Sequence, residues 1–171
     1  MNSIKILSMD LSLNLPACAV GIVENGQYRI LKTYHVDNKT GKASKLTTAG
    51  KLYRIAKMFY DIQAEHNDIN FLVREKGFSR FAKTTQILFR VVGLSDYLGF
   101  KLFGVSDIAE IPPTSVKNMI AGYGKATKDE VMAGVQELLP LDQQDYVYYS
   151  DDESDAVAVG ITFAIKNGLL K

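Results

Sequence analysis

The dipeptide Asn25-Gly26 constrains the fold most tightly, because it stands between two runs rich in β-branched and aromatic residues. Such a pair favours a two-residue turn with both residues at positive φ, the geometry that joins neighbouring antiparallel strands. Residues 18–24 and 28–35 are therefore read as a hairpin, with an earlier strand over 4–9. Downstream the period changes. Leu52, Ile55, Phe59 and Ile62 recur at helical spacing and mark a helix over 46–65. A strand over 70–75, a helix over 83–98 and a strand over 103–108 follow. Pro112-Pro113 then breaks the chain before two short helices, 115–121 and 128–139, and a last helix over 153–166. Three strands followed by alternating helices and strands imply an α/β fold: a five-stranded mixed sheet flanked by helices.

At 171 residues and 47% hydrophobic composition, the chain can bury one substantial core, and a single domain over 1–171 is expected. No apolar run reaches bilayer-spanning length, and the N-terminus lacks the pattern of a secretory signal, so no membrane partner and a cytoplasmic location are expected. The lone Cys18 cannot form an intramolecular disulfide and is expected in the core. His35 and His66 fall in no Cys/His metal spacing, which argues against zinc.

The net charge is only +1, but its distribution is uneven. Arg74, Lys76, Arg80, Lys83 and Arg90 stand against Glu75 alone, and Lys117, Lys125 and Lys128 follow in a stretch without acids. Between Glu137 and Asp155 there are seven acids and no base. A basic track beside an acidic pocket attracts phosphates locally while the totals balance.

Acids also punctuate the elements. Asp10 closes the first strand, Glu75 closes the fourth, and Asp151-Asp152-Glu153-Ser154-Asp155 opens the last helix, where Asp152 and Asp155 share a face. Taken singly, each suits a strand end or a helix N-terminus for electrostatic reasons alone. Together, convergent carboxylates without Cys or His favour magnesium. Asp151 and Glu153 stay open as substitutes for Asp152.

The ordered set resembles the RuvC family of Holliday-junction resolvases. Pro113-x-x-Val116-Lys117, then Gly122-x-Gly124-x-Ala126-x-Lys128-x-x-Val131, is similar to the family's signature segment, and Asp152-x-x-Asp155-Ala156-x-Ala158 to its C-terminal catalytic motif. Glu75 followed three residues later by Phe78 also fits. The resemblance implies an RNase H-like fold in which the first and fourth strands are neighbours. It implies catalytic residues Asp10, Glu75, Asp152, Asp155 and Lys128, the four acids holding two Mg²⁺ ions, with Mn²⁺ able to substitute. Phe78, Arg80, Lys83, Lys117, Lys125 and Lys128 would contact DNA, with Phe78 stacking on an unpaired base. The implied activity is a magnesium-dependent endonuclease that resolves four-way junctions by paired nicks as a homodimer. One departure stands out: Asp10-Leu11-Ser12-Leu13 replaces the family's usual Asp-Pro-Gly. That change keeps open a nuclease acting on flaps, forks or RNA hybrids. A catalytically silent branched-DNA-binding protein would have lost an acid, and an actin-like phosphotransferase would carry a second glycine-rich phosphate loop.

Overall fold

The structure is a computed structural model and describes residues 3–77 and 81–171. Strands β1 (Ile4–Asp10), β2 (Ala17–Glu24) and β3 (Gln27–His35) form an antiparallel meander. Asn25 and Gly26 lie at φ 55° and 79°, the paired positive values that this hairpin requires. After α1 (Thr48–Glu65), strand β4 (Phe71–Glu75) pairs parallel with β1. Helix α2 (Ala82–Phe103) leads to β5 (Ala109–Ile111), parallel to β4, and then come α3 (Pro113–Ala121), α4 (Lys128–Leu138) and α5 (Asp151–Lys166). The sheet order is β3-β2-β1-β4-β5.

Alternation along β1 decides which residues meet which helices. Leu7 and Met9 join Ile55, Phe59 and Ile62 of α1 and Val91 and Leu98 of α2 in one core. Ile6 faces the other side with Val73 of β4, against Val116 of α3, Val131 of α4 and the buried length of α5. Helix α5 is apolar almost all round because the sheet lies below it and α3 and α4 flank it. It comes close to the sheet at Gly160, where an added Cβ would stand 2.5 Å from Tyr28 Oη and 2.8 Å from Ser8 Oγ. That approach seats the helix low on the sheet, with its first turn over the end of β1.

One expectation is corrected. The strand expected over 103–108 is β5 at Ala109–Ile111, because α2 continues to Phe103 and ends only at Gly104 in the left-handed conformation. Leu102, Phe103 and Val105 pack on the α1/α2 core, so their apolar run served a helix end. The polar stretch over 36–44 is tied to the rest of the fold. The buried Asn38 side chain donates to the Leu13 carbonyl at 2.9 Å and the Lys51 carbonyl at 3.3 Å. Among the described residues no helix is long and apolar enough to cross a membrane. Cys18 is fully buried, as expected.

Candidate active site

Asp10 shares the parity of Ile6, so it leaves the end of β1 on the α5 side. Parallel pairing sets Met9 against Arg74, and the next step brings Asp10 to the level of Glu75 at the end of β4. The first turn of α5 supplies the rest. Carboxylate oxygens of Asp10, Asp152 and Asp155 lie within 4.8 Å of one another, all three residues partly buried. Glu75 adjoins them in two small cavities. With Asp10, Leu11, Gly77, Leu88 and Pro113 it lines one of about 360 Å³, and with Lys117, Lys128 and Asp155 one of about 150 Å³.

Crowding sets the electrostatics. Burial, then the charges of Glu75, Asp155 and Asp152, push Asp10 up to about 7, with Lys128 opposing. Glu75 is raised by burial and by Asp155 against Lys128 and Lys117. Asp152 is raised by burial, while Lys128 pulls it down and Asp155 and Asp151 push it up. Lys128 places Nζ 3.0 Å from Asp155 Oδ2. Partial burial works against its charge, yet that hydrogen bond and the surrounding carboxylates carry its pKa above the ordinary lysine value. Lys128 and Lys117 do not offset four crowded acids, and Asp10 keeps a raised pKa. A divalent cation would resolve that repulsion, and an all-oxygen donor set without sulfur or imidazole fits magnesium or manganese.

The remaining expected residues divide. Lys117 lines the cavity beside Glu75, Lys125 is exposed in the α3–α4 turn, and Lys83 is exposed in the first turn of α2. Phe78 and Arg80 lie outside the described residues. Arg74 leaves the basic track: its side chain points to the opposite side of β4 from Glu75 and is nearly fully buried. There its guanidinium donates to Glu110 Oε1 at 2.8 and 3.0 Å and pairs with Asp96. Glu153 is no substitute for Asp152, because its carboxylate turns toward β3 and pairs with His35 at 2.8 Å. Asp151 is exposed and stands outside the three-carboxylate group. The Leu11 and Leu88 walls and the His35–Glu153 pair were not foreseen, since neither carries a local pattern.

The family model described as crossover junction endodeoxyribonuclease RuvC matches residues 101–163, the segment from the end of α2 into α5. A crossover junction endodeoxyribonuclease RuvC of Caldanaerobacter subterraneus subsp. tengcongensis is 32% identical over 123 residues, covering 72% of each chain. The chain belongs to the RuvC family. A second RuvC, from Thermotoga maritima, is 23% identical over 171 residues and spans 98% of this chain and 94% of its own. The fold agrees with that membership. T. thermophilus RuvC, in a structure with a Holliday junction substrate, superposes with a TM-score of 0.79 at 20% identity and 98% coverage of both chains. The sheet with its flanking helices is thus the RNase H-like fold of RuvC structures.

Proposed function

We propose that this RuvC-family chain is a magnesium-dependent endonuclease that resolves four-way DNA junctions by paired nicks, working in the cytoplasm as one nuclease domain per subunit of a homodimer. The convergence of Asp10, Asp152 and Asp155, with Glu75 beside them, carries the reading. Asp10, Glu75, Asp152 and Asp155 would hold two Mg²⁺ ions, or Mn²⁺ in their place. When bound, the metal supplies an activated water and neutralises charge on the leaving oxygen.

This chain's own residues contribute the rest. Lys117 and Lys128, on the rim of the cavity shared with Glu75 and Asp155, hold the scissile phosphate against the acids. Lys83 and Lys125, both exposed, and Arg80 extend the contact along the backbone of a DNA arm, where phosphate contacts position without reading sequence. Phe78 stacks on a base unpaired at the crossover. Exposed Phe89, Gly93, Tyr97 and Phe100 recur along one side of α2 and support the dimer. Such a face matches a twofold partner, and the substrate presents two equivalent strands to it.

A cleavage panel of four-way junctions, forks and linear duplexes in magnesium tests the assignment. Symmetrically paired nicks confined to the junction are expected. Equal cutting of forks would move the assignment to the broader nuclease that the Asp10-Leu11-Ser12-Leu13 turn leaves open.

A further inference from the structure

Helix α5 begins with an N-cap, Ser150, whose side chain makes no capping bond, although this turn carries both Asp152 and Asp155. Something else must hold it. Glu153, only 3% exposed, does so from inside the turn. Its Oε2 accepts from the Tyr149 backbone N–H at 2.9 Å, just before the helix, and from Thr33 Oγ1 at 3.0 Å. Its Oε1 stands 2.8 Å from His35 Nδ1. The support is itself braced: Thr33 Oγ1 lies 3.1 Å from the Tyr146 hydroxyl, and the His35 ring stacks on Tyr149 at 3.9 Å and 7°. Thr33 and His35 belong to β3, an edge strand of the sheet.

A helix turns about 100° per residue, so fixing the direction of Glu153 fixes those of Asp152 and Asp155 on the same turn. The need is evident, because the carboxylates of Asp10, Asp152 and Asp155 repel one another at this spacing and would drive an unrestrained turn outward. We infer that Glu153 is a positioning residue for the acidic cluster, clamping the first turn of α5 to Thr33 and His35 so that Asp152 and Asp155 converge on Asp10. This inference rests on the proposed role of that cluster in holding divalent cations.

Calorimetric titration with Mn²⁺ alone, well below the melting temperature of every variant, tests it alongside amide exchange of residues 152–155 in the metal-free protein. Glu153→Ala should weaken Mn²⁺ binding about 10-fold or more, as loss of outer-shell support does elsewhere, and should speed exchange of that turn. Glu153→Gln should recover most of the affinity, because its amide oxygen still accepts from Thr33 and Tyr149. Thr33→Val, which removes one donor without touching α5, should move both readouts the same way by less; it decides the matter if Glu153→Ala does not fold. Mn²⁺ affinity and exchange unchanged in the folded variants overturn the clamp, whatever their melting temperatures. A wild-type protein that binds no Mn²⁺ overturns the reading of the cluster itself, and the clamp's purpose with it.

Discussion

Asp10 is where the proposed chemistry and the folding energetics oppose each other most directly. Its native pKa of about 7 lies above the ordinary 3.8, so the native state holds a proton that the unfolded chain has already released over that interval. The metal-free protein should therefore lose stability as pH rises from about 4 to 7, by up to about 4 kcal/mol for a shift of this size. Asp10→Asn carries no such charge. Melting curves in chelator should show a falling profile for wild type and a flatter one for the variant, which should melt several degrees higher at neutral pH, at about 2–4 °C per kcal/mol. A variant that melts lower than wild type at pH 7 would contradict the crowding described here. The acids were legible from their places at strand and helix ends, where side-chain direction follows from local geometry. Arg74 and Glu153 were not. Arg74 sits one position before Glu75 and faces the opposite way, and its neutralisation by Glu110 and Asp96 depends on pairing across 36 and 22 residues respectively. Glu153 meets partners 118 and 120 residues away, which no local pattern encodes.

Among the elements, α5 links core to site, and Gly160 controls how low it sits. Alanine at this position would gain about 1 kcal/mol of helix preference, but its Cβ would meet the enclosed Tyr28 ring and Ser8 hydroxyl, an overpacking cost of about 1–3 kcal/mol. The clash should win. Gly160→Ala should melt lower and cleave more slowly, and Tyr28→Phe should restore part of both losses by removing the nearest oxygen. A double-mutant cycle that shows no coupling would mean α5 is not seated by this contact. The hairpin, β1, β4 and the helices were legible because the periods of 2 and 3.6 are strong there and Asn-Gly and Pro-Pro punctuate them. Strand β5 was misplaced because it has only three residues, too few for alternation to register, next to an apolar helix end that imitates a strand.

Resolving a four-way junction needs a basic margin beside an acidic centre, and two such centres per junction. Junction affinity should fall by orders of magnitude between about 50 and 200 mM salt, since each phosphate contact releases a condensed counterion. Lys117→Ala and Lys125→Ala should each flatten that slope; an affinity indifferent to salt would remove the basic margin. Replacing Tyr97 and Phe100 with Asp should yield monomers by sedimentation, because like charges would then face each other across a twofold α2 contact. Unchanged dimers would place the interface elsewhere. Whether the four acids make a metal-dependent nuclease is read out by single-turnover cleavage of an immobile four-way junction by wild type and Asp10→Asn, each in Mg²⁺ and in chelator. A metal centre built on Asp10 requires paired nicks by wild type in Mg²⁺ alone, with Asp10→Asn still binding the junction but cutting at less than roughly one-hundredth of the wild-type rate. Cleavage in chelator, or by Asp10→Asn at more than a few per cent of wild type, would contradict it.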